Sequence, residues 1–130
     1  MAWEVIWEPR GVWRVFSGTL ELGDLLSSVD VVQKDGRYDS LRYSINDFLA
    51  VEQFNDPDGI TRGVDQVLGQ AIGGSFSNSK LVMAIVATKP QIVAVAQIFL
   101  GGVPYPVRLF STVEEARVWV EDMASAPLSS

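Results

Sequence analysis

The chain has 130 residues, enough for one domain with a core of its own, and its formal net charge is −6. It contains neither Cys nor His, which excludes disulfide bridges, thiolate and imidazole metal sites, and the nucleophile pairs that depend on His. The basic residues form no cluster, so we expect no nucleic-acid binding. An enzyme made from this chain would have to use carboxylates, Lys, Tyr or Ser, and we predict no enzyme, no metal site and no cofactor.

The N-terminal residues MAWEVIWEPR are acidic where a signal peptide has a basic start and an apolar core. The most apolar run, residues 80–100, is divided by Lys89 and Pro90. No run therefore reaches the roughly 20 apolar residues of a membrane-spanning helix. We expect a cytoplasmic protein without a membrane span.

Alternating apolar residues predict an N-terminal β-hairpin, with strands at residues 3–8 and 12–16. Leucines and valines at helical spacing then predict a first helix that ends near Lys34. Residues 41–48 predict the third strand. Polar side chains gather at its C-terminal end, where open α/β sheets place their sites: Ser44, Asn46 and Asp47.

The start of a second helix is predicted by Asp56 as N-cap, Pro57 in the first helical position and Asp58 at the positive end of the helix dipole. Gly73–Gly74 predicts its end. The apolar run Leu81–Ala87 does not alternate, which is typical of a strand that is buried on both faces. We expect it to be a central strand.

A third helix is predicted between Thr88, which with Gln91 has the spacing of a capping box, and the pair Gly101–Gly102. Pro90 is tolerated in its first turn. Apolar residues surround this helix, so it needs cover on more than one side. Residues 107–110 then predict a short last strand before a fourth helix. Ser111 or Thr112, with Glu114 or Glu115, predicts the cap of that helix.

The predicted order of elements is ββαβαβαβα, which indicates an α/β fold with a mixed, mostly parallel five-stranded sheet and four helices. We assign residues 1–123 to a single domain and residues 124–130 to a flexible tail.

Three segments resemble one known family: the strand-into-helix segment FSGTLELGDL, the DF turn after the third strand, and the ending PVRLFSTVEEARVWVEDM. They are similar to the STAS domains, named for sulfate transporters and anti-sigma factor antagonists, and within these to the SpoIIAA-like branch of small stand-alone bacterial proteins. The resemblance covers roughly residues 11–123. It implies a non-enzymatic module for regulatory protein–protein interaction.

In anti-sigma factor antagonists a short D-S-S-G-L sequence opens the helix after the third strand, and its first serine is the phosphorylation switch. Residues 56–60, DPDGI, take that place here. Pro57 stands where the switch serine would be and Asp58 where the second serine would be, so the resemblance implies a module without the serine switch.

The first functional hypothesis is that a loop from Phe48 to Gly59 and the start of the second helix bind a protein partner. Its exposed-looking polar residues would form the surface: Glu52, Asn55, Asp56 and Asp58. The competing interpretation is that the same residues only make a turn and cap the second helix.

The second hypothesis is a carrier or sensor of an apolar, lipid-like small molecule, held under a mobile helix 89–100. Some lipid-binding folds are similar to this one. The ligand would contact one face of that helix together with Trp13 or Trp119: Ile92, Val95, Ala96, Phe99 and Leu100. The competing interpretations are that this face is ordinary core or that it pairs with a second copy in a homodimer.

A third hypothesis places Asp47, Asp56 and Asp58 near one end of the sheet, where paired carboxylates could bind Mg²⁺ or share a proton. Asp is also an ordinary residue of turns and caps, and this interpretation is the basis for predicting no catalytic residue.

Overall fold

The computed structural model describes residues 2–125. Its elements follow the predicted order, with one added 3₁₀ turn at Tyr38–Ser40. The strands are β1 (Trp3–Trp7), β2 (Gly11–Leu20), β3 (Tyr43–Phe54), β4 (Val82–Val86) and β5 (Val107–Phe110). The helices are α1 (Leu22–Lys34), α2 (Pro57–Ser75), α3 (Pro90–Phe99) and α4 (Val113–Ser125).

All five strands form one sheet in the order β1-β2-β3-β4-β5. Strand β1 pairs antiparallel with β2, and β2 to β5 pair parallel with one another. The predicted mixed, mostly parallel sheet is confirmed. Strand β4 lies inside the sheet and all of its residues are buried, which accounts for its unbroken apolar sequence, although the middle strand is β3.

The two faces of the sheet carry different helices. On β4, Met83 and Ile85 pack with residues of α1, α2 and α3, whereas Ala84 and Val86 pack with α4. Successive side chains of a strand point to opposite faces, so α1, α2 and α3 cover one face and α4 covers the other.

Strand β3 continues to Phe54, well beyond the end predicted at residue 48. The pairing register with β2 shifts between Val15 and Ser17 and again near Gly18, which has a φ of 67°. Such β-bulges interrupt the alternation of buried and exposed residues. The sequence pattern therefore stopped indicating a strand although the backbone pairing goes on.

The helix caps agree with the sequence at α4 and differ at α3. The Glu115 backbone N–H donates to Thr112 Oγ1 at 3.2 Å, and the Thr112 hydroxyl donates to Glu115 Oε1 at 2.9 Å. The N-cap of α3 is Lys89, one residue later than the predicted Thr88, and it makes no side-chain cap hydrogen bond. The predicted capping box of Thr88 and Gln91 is therefore wrong.

Helix α4 continues through Ala124 and Ser125, two residues that the sequence placed in a tail. Ala124 is buried against the sheet, which explains the extension. The rest of the predicted tail, residues 126–130, lies outside the described residues. Among the helices of residues 2–125, none is both long enough and apolar enough to cross a membrane.

Candidate functional site

A cavity of about 80 Å³ lies between the sheet and helices α1, α2 and α3. Most of its wall is apolar and comes from all three helices and from β4: Leu25, Val29, Val32, Val67, Ala71, Met83, Ile85, Ile92, Val95, Ala96 and Phe99. Its volume is about half of the ~150 Å³ of an engineered apolar cavity that binds benzene. A small apolar group fits into it without rearrangement.

The position of α2 explains why space is left there. Helix α2 lies mainly against α1 and approaches the strands much less closely than α4 does. Gly63 permits the close approach to α1, because a Cβ atom there would collide with the Leu22 side chain. Helix α2 is therefore held mainly by its packing against α1 and not by packing against the sheet.

One charged side chain, Arg14 on β2, reaches the cavity wall and is only 7% exposed. Its Nε donates to Asn46 Oδ1 at 3.0 Å, and its Nη1 donates to Ser28 Oγ at 2.9 Å. The Ser44 hydroxyl also donates to Asn46 Oδ1, at 2.8 Å. Arg14 and Asn46 are directly paired in the β2–β3 register, so the sheet itself fixes this polar cluster.

The positive charge of Arg14 has no negative partner among residues 2–125, because none of their ion pairs includes it. Its described neighbours are neutral dipoles and the face of Phe16, whose ring centroid is 5.7 Å from Cζ. Burial lowers the pKa of the guanidinium to about 10. The group is therefore still charged at neutral pH, and the burial of that charge is costly.

Two tyrosines, Tyr38 and Tyr105, and the amide of Gln33 also belong to the polar part of the wall. Burial raises the pKa of Tyr105 to about 12, while the charge of Arg14 acts in the opposite direction. Burial also raises the pKa of Tyr38. Both phenols are protonated at neutral pH, so each has an O–H that can donate to a ligand.

The structure brings together only part of the predicted apolar site. Four of its α3 residues line the cavity, namely Ile92, Val95, Ala96 and Phe99. Leu100 is outside the wall and exposed. Trp13 and Trp119 lie on the opposite face of the sheet, in the core that α4 covers, so grouping them with α3 is wrong. The alternation of β2 carries Trp13 to that face.

All four predicted partner-binding residues are exposed. Glu52 lies within β3 and not in a loop, because the strand extends past it. The Asn55 amide donates to Glu21 Oε1 at 3.0 Å, and Asp56 caps α2 by accepting from the Gly59 backbone N–H at 3.1 Å. Asp58 occupies the first turn of α2.

The predicted carboxylate cluster does not form. Asp47 is buried in mid-strand, where it accepts from the Trp13 indole at 3.3 Å and from the Leu49 backbone N–H at 3.0 Å. Asp56 and Asp58 follow the end of β3, roughly 20 Å further along at the rise of a strand. Within residues 2–125, no group of three or more acidic residues could hold a metal ion.

Arg14 was not among the predicted site residues, because the basic residues are scattered along the sequence. A signal was present, because Val12, Arg14 and Phe16 alternate on one face of β2 and the two neighbours are core residues. A charged residue at a core position of a strand requires compensation, which makes it a candidate binding group.

The arrangement of the sheet and helices is similar to that of a solved structure. The chain resembles an uncharacterized protein from the DUF3478 family with a SpoIIAA-like fold, from Shewanella loihica PV-4, with a TM-score of 0.57 at 10% sequence identity. The match covers 92% of each chain. No protein-family model matches the sequence, and no curated protein does.

The protein is therefore an α/β protein with a SpoIIAA-like fold, as the resemblance predicted. At this level of identity the likeness concerns the fold alone. Function must be argued from the cavity and its residues.

Proposed function

We propose that the protein is a non-enzymatic binding module that holds a small apolar molecule between the sheet and helices α1, α2 and α3, as a carrier or sensor. The observation that supports this most directly is the largely apolar cavity with a few converging polar groups, because that combination is typical of ligand sites. Arg14, Tyr38 and Tyr105 supply those polar groups.

Helix α3 is the part of the wall best suited to open for the ligand. It has only ten residues, it makes few contacts with α2 and β5, and the flexible pair Gly101–Gly102 lies just after it. Ile98 and Leu100 on its outer side are each 40% exposed, so part of this apolar helix lacks cover within the chain. A shift of α3 would enlarge the cavity for molecules longer than those that fit into 80 Å³.

Native mass spectrometry of protein purified without detergent tests the proposal, followed by solvent extraction and by titration with small apolar compounds. We expect a bound molecule or added binding of such compounds. An Ala96→Phe variant should lose this binding because Ala96 lines the cavity, whereas Ala94→Phe on the exposed side of the same helix should keep it. If neither the purified nor the titrated protein carries a ligand, the proposal is wrong.

A second candidate function is protein interaction through the exposed acidic residues at the end of β3 and the start of α2. Glu52, Asp56 and Asp58 are exposed, and Glu21 adds a further carboxylate beside Asp56, where it accepts from the Asn55 amide. Their negative charge favours a basic partner. A Glu52→Lys, Asp58→Lys double variant should abolish its capture, whereas Glu114→Lys, Asp122→Lys on α4 should not. Equal capture by both would exclude this surface.

The uncovered side of α3 also favours a homodimer. A second copy could cover Ile98 and Leu100 by packing the same helix against its equivalent. The same native mass spectra report the oligomeric state. A dimer that Leu100→Ser converts to a monomer would support this arrangement, and a monomer at all concentrations would exclude it.

A further inference from the structure

The buried guanidinium of Arg14 is the feature of the cavity that an apolar ligand alone leaves unexplained. Two of its five N–H groups are used, by Asn46 Oδ1 and Ser28 Oγ, and among residues 2–125 no hydrogen bond uses Nη2. The cavity wall contains no Asp or Glu. The cation thus faces an apolar space with free donors and without a counter-charge.

We propose that Arg14 binds the carboxylate of a small apolar monocarboxylic acid whose hydrocarbon part lies against α3 and α2. The inference rests on the proposed function, since it identifies the chemical class of the molecule in that cavity. A planar guanidinium fork matches a carboxylate, and the bond is stronger where water is excluded. The carboxylate would supply the missing negative charge of the site.

The tyrosines fit the same ligand. Tyr38 and Tyr105 lie near enough to Arg14 for its charge to affect their pKa values, and both are protonated donors at neutral pH. Both tyrosines also line the cavity that Arg14 reaches, and we expect an anion bound at Arg14 to accept from the Tyr105 phenol as well. Because a phosphate monoester would carry up to two charges, a single cation in a cavity of about 80 Å³ favours the smaller, singly charged carboxylate.

The competing explanation is that Arg14 is purely structural and joins α1 to the sheet through Ser28. The two explanations differ in what they predict for ligands of equal shape and different charge. A structural arginine gives no preference for an anion, whereas a binding arginine discriminates strongly against the neutral analogue, because the buried cation then remains unpaired.

Isothermal titration of the full chain tests the inference with straight-chain carboxylates from butyrate to octanoate, each compared with the primary alcohol of the same chain length. We expect the carboxylate to bind at least tenfold more tightly at one chain length or more. Arg14→Met should remove this preference while the alcohol still binds. Arg108→Met, at an exposed position on β5, should keep it.

Two further arms keep the test decisive if Arg14→Met fails to fold. The wild-type comparison of carboxylate with alcohol requires no variant. In addition, Tyr105→Phe should lower the affinity for the carboxylate several-fold and leave the affinity for the alcohol almost unchanged. Equal binding of the two ligand types to the wild type, or an anion preference that survives Arg14→Met, would overturn the inference and leave the proposed function in place. Absence of binding by both types would overturn the proposed function itself.

Discussion

The two faces of the sheet are packed in different ways. On the α4 face, the helix presents Ala116, Val120 and Ala124 to Ile45 and its neighbours, and small side chains at this spacing let the helix lie close to the strands. On the face covered by α1, α2 and α3, the helices stand further out and leave the cavity with its buried cation. One face of the sheet is a close-packed support, and the other is suited to contain a ligand.

The largest expected effect is overpacking of the α4 face. Ala116 is completely buried, so Ala116→Leu should lower the free energy of unfolding by about 2–3 kcal/mol. The matched change on the other face, Ala96→Leu, adds the same atoms beside the cavity and should change it by less than about 1 kcal/mol. Urea unfolding measures both. Equal losses would show that the two faces are packed alike.

The second effect concerns the buried charge. In the absence of ligand, Arg14→Met should raise the free energy of unfolding by about 1–2 kcal/mol, because it replaces an uncompensated buried cation by an apolar side chain of similar length. A stabilised variant that binds less ligand is the behaviour expected of a binding residue. A clear loss of stability in urea unfolding would show that Arg14 mainly supports the fold.

The smallest effect concerns the ion pair that joins Glu8, in the turn between β1 and β2, to Arg117 on α4. Arg117 Nη1 donates to Glu8 Oε1 at 2.9 Å and Nη2 to Oε2 at 2.9 Å, and the Tyr43 hydroxyl donates to Glu8 as well. These contacts, the hydrogen bond from Arg117 first, hold the pKa of Glu8 below its usual range. Glu8→Gln should therefore cost about 1 kcal/mol at neutral pH.

The pH dependence of that difference has a definite sign. The folded-state pKa of Glu8 lies below the unfolded value of about 4.5, so the stabilisation is fully present above pH 4.5 and is lost as the pH falls through the folded-state pKa. The wild type and Glu8→Gln should accordingly converge in stability at low pH. A constant difference from pH 7 down to pH 2, measured by urea unfolding, would contradict the assignment.

Elements with a clear period were predictable from the sequence. Asp56 as N-cap and Pro57 in the first turn predicted where helix α2 begins, because both act through local backbone chemistry. The unbroken apolar run of β4 predicted the burial of that strand, because it depends only on which of the strand's own side chains avoid water. The predicted β3 ended too early, because the bulges in its pairing with β2 change which side chains face the core. That effect depends on the neighbouring strand and not on the β3 sequence.

The candidate site was predictable only in part. The apolar face of α3 was expected to meet a ligand, and four of its residues do line the cavity. The cavity itself depends on how far α2 stands from the sheet, which no single segment encodes. Arg14 was missed because a charge is assigned to the surface by default, although its place between Val12 and Phe16 on β2 indicated the core.

The most direct test of the difference between the two faces is a methyl NMR titration with hexanoate. We expect progressive shifts for methyl groups that line the cavity, such as those of Val67, Ile85 and Ile92, and none for Val82 or Val120 on the α4 face. Shifts confined to the α4 face, or no shifts at millimolar ligand, would contradict the claim that the cavity is a ligand site.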